Sequence, residues 1–65
     1  MWIIVSDGYA FNNETSEEIY IGLEDGLYCV NRDGEEIESF YSASAAADFL
    51  EEYVDELNAK DAEMA

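Results

Sequence analysis

The chain has 65 residues, 17 acidic and only two basic side chains, Arg32 and Lys60, no histidine, and a formal charge of -15. At this length there is one domain with a thin core, since folding buries only about 60% of the surface the unfolded chain exposes. The charge is roughly twice the magnitude of about 2 to 8 that suits a small domain, and it argues against nucleic acid or anionic lipid as a partner and for a basic protein surface or a high-salt setting.

One Trp, five Tyr and three Phe, with abundant Ile, Leu and Val, set the chain apart from disordered acidic segments. Cys29 is the lone cysteine, so an intrachain disulfide and a stapled secreted scaffold are excluded, and a reducing cytoplasm is expected. The opening run Met1 to Val5 is too short for a signal-peptide core, and nothing approaches a membrane span.

In chain order, the apolar run Trp2-Ile3-Ile4-Val5 predicts a strand over about residues 2–6, ended by Ser6-Asp7-Gly8. Tyr9-Ala10-Phe11 either extends the pairing or packs as a satellite, and a polar connection follows. Thr15 to Glu18 matches a capping box, but the period-two alternation after it makes the match accidental. Strands follow at about 18–23, 27–31 and 35–40, separated by Asp25-Gly26 and Asp33-Gly34.

Asp-Gly suits either a two-residue type I′ turn or the end of a type I turn with a Gly bulge, and the two choices flip one strand's faces relative to its partner. Asn31 and Asp33 favour type I for the second turn. That register gathers Ile19, Ile21, Leu23, Leu27, Cys29 and Ile37 on one aliphatic face, with Tyr20, Tyr28, Val30 and Phe40 beside Glu36 and Glu38 on the other. Tyr20, Tyr28 and Phe40 are then a conceivable second interaction surface or a dimer contact.

A helix is predicted over about 43–59, capped by Ser42 or Ser44, with a frayed tail at 61–65. Ala46, Phe49, Leu50, Tyr53, Val54 and Leu57 recur at helical spacing and form the stripe that covers the sheet. The fold class expected is α+β: an antiparallel meander of three to four strands packed against one C-terminal helix.

No serine or cysteine has a histidine base available, and Cys29 reads as a small core residue. Carboxylate pairs for acid-base chemistry need a cleft that separates their pKa values, which a thin meander does not make. Setting Gly8, Gly26 or Gly34 at the sixth position of a calcium loop puts Ile3, Ile21 or Cys29 where an acid is required. Asn13-Glu14-Thr15 is a chance glycosylation triplet. The expectation is a protein that is not an enzyme, with no cofactor and no metal.

The remaining feature is the acidic side of the helix: Asp48, Glu51, Glu52, Asp55 and Glu56, without a basic residue among them. These carboxylates occupy about 12 Å of helix axis, and a DNA strand carries one charge about every 3.4 Å. The linear charge densities are similar. Asp48 with Glu52, Glu51 with Asp55, and Glu52 with Glu56 are like-charge pairs four residues apart, each costing about 0.2 to 0.5 kcal/mol. Solubility alone is achievable with mixed charges. The expected contact set is therefore these five acids with Glu35, Glu36 and Glu38 on a neighbouring strand.

A chain this short, with 17 acids to two bases, a meander and a closing helix bearing DFLEEYVDEL at residues 48–57, resembles the small acidic anti-CRISPR proteins of phages and mobile elements, the type I-C inhibitors in particular. The resemblance covers the whole chain through size, charge and layout. It implies a DNA mimic in a bacterial host's cytoplasm that occupies the basic surface of a Cascade complex, often its large subunit, and keeps target DNA out. It implies no particular residues, because that class shares no sequence signature. The competing expectations are an immunity protein or antitoxin that plugs a nuclease active site, and a halophilic or structural acidic domain. A monomer is expected, with a dimer as the alternative.

Overall fold

The computed structural model describes the backbone of residues 1–64 and the side-chain surroundings of residues 1–61. Five strands, β1 (Trp2–Ser6), β2 (Tyr9–Asn12), β3 (Glu18–Glu24), β4 (Leu27–Arg32) and β5 (Glu35–Phe40), precede a single helix, α1 (Ala43–Met64). The strands pair antiparallel in sequence order, β1-β2-β3-β4-β5. The helix covers one face of this sheet, giving the expected α+β fold with one strand more than the three to four anticipated. The additional strand is Tyr9–Asn12, whose Ala10 is wholly buried between Ile4 and Ile19 in the cross-strand register.

Both Asp-Gly turns are the two-residue kind. Asp25 and Gly26 have φ of 52° and 78°, Asp33 and Gly34 of 53° and 89°, the paired left-handed conformation of a type I′ turn. Type I′ matches the twist of the flanking strands, and this outweighs the residue preferences that favour type I at Asn31 to Gly34. The expected register is accordingly corrected. Leu23 lies across from Tyr28, Ile21 from Val30, and Tyr28 from Phe40, so Tyr28, Val30 and Phe40 join Ile19 and Ile21 beneath the helix. Leu27 and Cys29 go to the opposite face. Asn31 pairs with Glu36 and Val30 with Glu38, which leaves Ile37 as the extra residue of a bulge in β5.

The core consists of Trp2, Ala10, Ile19 and Val30 from the sheet against Ala46, Leu50 and Val54 from the helix, bordered by Ile21, Tyr28, Phe40, Phe49, Tyr53 and Leu57. The predicted helix stripe is thus the one that packs. Burying a side chain such as Leu50 contributes about 1.5 to 3 kcal/mol, and Ala46 lets the helix backbone approach the sheet closely. Ser42 is the N-cap, its Oγ accepting from the Ala45 amide at 3.1 Å. The helix runs to Met64, past the expected end at 59. Ala59, Lys60, Ala62, Glu63 and Met64 are all strong helix formers with no glycine or proline to stop them. Of the tail expected to fray, Ala65 lies outside the described residues.

Candidate interaction surface

Packing of the stripe fixes where the acids go. With 3.6 residues per turn, Asp48, Glu51, Glu52, Asp55 and Glu56 span an arc of roughly 140° opposite Ala46, Leu50 and Val54, and all five are exposed. Phe49 packs on Phe40 with ring centroids 5.3 Å apart and stacks on Tyr53 at 5.8 Å, which turns the Phe49 flank of the helix toward β5. Glu52 and Glu56 are each three residues beyond these aromatics and lean the same way. Glu51 borders the other flank, in a shallow cleft it shares with Ile4, Asp7 and Ala47.

The three acids of β5 are exposed but are not brought to one face. Glu38 pairs with Val30, so it rises on the helix side at the sheet edge. Glu36 pairs with Asn31 and belongs to the uncovered face, while Glu35 lies across from Arg32 at the end of the hairpin. The β5 bulge produces this split.

Arg32 is taken up internally. Its Nε donates to Glu17 Oε2 at 3.1 Å, its Nη1 donates to the Tyr53 hydroxyl at 3.1 Å, and its guanidinium lies 5.3 Å from the centroid of the Trp2 ring. Hydrogen bonding to Tyr53, and then to Glu17, raises its already high pKa, and the same guanidinium holds the Glu17 carboxyl below its ordinary value. The N-terminal ammonium pairs with Glu14 at 2.8 Å and lowers that carboxyl's pKa through the hydrogen bond. Among the described residues these are the two ion pairs, and neither involves an acid of the helix.

Two groupings escaped the sequence reading. The carboxylates of Glu24 and Glu36 and the thiol of Cys29 lie within 4.8 Å of one another on the uncovered sheet face. The Glu36 carboxylate, through its hydrogen bond to the thiol, followed by burial, pushes the Cys29 pKa up, so the thiol stays protonated and is a poor nucleophile. The residues come from three strands, and only the type I′ register gathers them. The second grouping is Ile3, Tyr9, Phe11, Glu18 and Tyr20, also on the uncovered face. Of the aromatics expected there, Tyr20 is present, 37% exposed, whereas Tyr28 and Phe40 pack under the helix. No helix is long and apolar enough to cross a membrane among the described residues. Comparison with protein families, with curated proteins and with solved structures gives no match.

Proposed function

We propose that this chain is a non-enzymatic inhibitor whose helix takes the place of a nucleic-acid backbone on a basic protein surface, in the manner of DNA-mimicking anti-CRISPR proteins that block target DNA from a Cascade-type effector. The observation that carries the reading is the exposed face of Asp48, Glu51, Glu52, Asp55 and Glu56, with no cation among them and the nearby arginine turned inward. A rigid helix holds these charges at fixed spacing, so little ordering is needed on binding. Lys and Arg side chains placed to neutralise phosphates meet carboxylates of similar linear density. Glu38 widens the surface on the β5 side; Glu35 and Glu36 lie at the rim, within reach of a groove that wraps the sheet edge. The partner is the basic protein itself, and the inhibitor acts as a monomer in the bacterial cytoplasm.

The test is competition. Purified type I-C Cascade is mixed with labelled target DNA and increasing amounts of this protein, and DNA binding is followed by mobility shift. The expected result is loss of DNA binding that weakens steeply with added salt. Reversing Glu51, Glu52 and Asp55 together to lysine should remove inhibition while the circular dichroism spectrum is unchanged. Full inhibition by that variant would overturn the proposal. Inhibition of nuclease catalysis with DNA binding intact would replace it with the immunity-protein mechanism.

A further inference from the structure

The helix side of the sheet contains a complete arginine site. Arg32 is held by one aromatic ring, Trp2, one carboxylate, Glu17, and one tyrosine hydroxyl, Tyr53. The uncovered side carries the same three kinds of group without an arginine. Phe11 lies across from both Ile3 and Glu18, and Tyr9 lies across from Tyr20. The Tyr9 hydroxyl donates to Glu18 Oε2 at 2.5 Å, fixing that carboxylate among the rings. Ile3 and Tyr20 are 40% and 37% exposed, Phe11 and Tyr9 are half-buried, and Glu18 is exposed.

We propose that this face is a docking surface for a second protein that inserts an arginine set among apolar side chains, the guanidinium stacking on Tyr20 or Phe11 and pairing with Glu18. A planar guanidinium meets both requirements at once, by lying on an aromatic face and by presenting a fork of donors to a carboxylate. An ammonium meets only the second. The apolar surround of Ile3, Tyr9 and Phe11 calls for a partner surface that is itself apolar around its arginine. Charge decides between a foreign partner and a second copy of this chain. Arg32 is engaged on the other side of the sheet, the remaining basic side chain is Lys60 on the helix, and each copy carries -15. Another copy therefore has no arginine to offer and brings Glu18, Glu24 and Glu36 against their own counterparts.

This contact is on the side of the sheet away from the helix acids and does not depend on the inhibitor reading. Blocked tripeptides Leu-Arg-Leu and Leu-Lys-Leu, equal in charge, are titrated into 15N-labelled protein and followed by amide chemical shifts. The arginine peptide is expected to shift Phe11, Glu18 and Tyr20 saturably and to bind several-fold more tightly than the lysine peptide. Tyr20→Thr and Glu18→Gln should each remove most of that preference, while the Glu51, Glu52 and Asp55 reversal should leave it unchanged. Equal binding of the two peptides, shifts confined to the helix, or no saturable shift would overturn the proposal, as would a dimer in sedimentation whose formation depends on Tyr20.

Discussion

Asn58 clamps the backbone of Trp2 from the far end of the chain. Its Oδ1 accepts from the Trp2 amide at 2.9 Å and its Nδ2 donates to the Trp2 carbonyl at 3.1 Å, so one side-chain amide stands where a sixth strand would pair. β1 is an edge strand, and an unguarded edge invites pairing with other chains. The helix thus holds the sheet through its apolar stripe and guards the β1 edge through Asn58.

Replacing Asn58 by alanine leaves the Trp2 amide and carbonyl without those partners. The expected cost is about 1 to 3 kcal/mol, read as a lower midpoint in urea unfolding. The β1 amides, Trp2 first, should lose hydrogen-exchange protection.

Acid should act on two identified carboxyls. Glu14 and Glu17 have folded pKa values below the ordinary 4.5, the first through the N-terminal ammonium and the second through Arg32. A lowered folded pKa adds stability above the unfolded value, and that stability is lost as pH falls through the folded value. Glu17→Gln should therefore melt below the wild type near pH 7, and the gap should narrow as the pH falls below 4.5 and through the lowered folded value. Tyr9 gives the opposite sign at the alkaline end. Its hydrogen bond to Glu18 raises its pKa above 10, so this contribution is present below pH 10 and lost as pH rises through the folded value.

Gly34 has φ of +89° in the second type I′ turn, where a side chain meets no neighbour within 4 Å. Alanine there is opposed by backbone strain alone, roughly 1 to 2 kcal/mol for a left-handed residue. Thermal melting should show that loss. The NMR cross-strand contacts between Tyr28 and Phe40 should survive, because the turn is strained without being sterically blocked.

Glu52 has a like charge four residues away on both sides, Asp48 and Glu56. Glu52→Gln should raise stability by about 0.2 to 0.5 kcal/mol for each repulsion removed and reduce inhibition of DNA binding in the competition assay. Opposite movements of melting temperature and inhibition would identify the acidic face as a surface kept for contact at the expense of the fold.

The helix was legible because its signal is redundant: Ala46, Leu50 and Val54 repeat the core position through successive turns, and the acids fill the remaining arc. Both Asp-Gly pairs were equally plain as turns. The sheet faces were not, because a period-two pattern carries no absolute phase, and one residue more or less in a turn exchanges Tyr28 and Val30 for Leu27 and Cys29. With the β4 register reversed, Cys29 was parted from Glu24 and Glu36; the Phe11, Glu18 and Tyr20 corner needs the β2 to β3 pairing, and a run as short as Tyr9-Ala10-Phe11 does not declare itself a strand. The split of Glu36 from Glu38 depends on the bulge at Ile37, for which a lone isoleucine between glutamates gives no local sign. The three-way hold on Arg32 draws on β1, β4, the connection before β3 and the helix, and so belongs to tertiary structure alone.

The order of strands has a kinetic consequence. In a meander each strand finds its partner immediately before it along the chain, so loop-closure costs are small and the sheet's contacts are of the local kind that form rapidly. The helix is synthesised after all five strands, and the Trp2 to Asn58 clamp joins residues 56 apart in sequence. On a translating ribosome the sheet's apolar face therefore waits uncovered until the helix has cleared the exit tunnel. During that interval the nascent chain's dense negative charge holds neighbouring copies apart, protecting the protein from aggregation at the stage when it has no lid of its own.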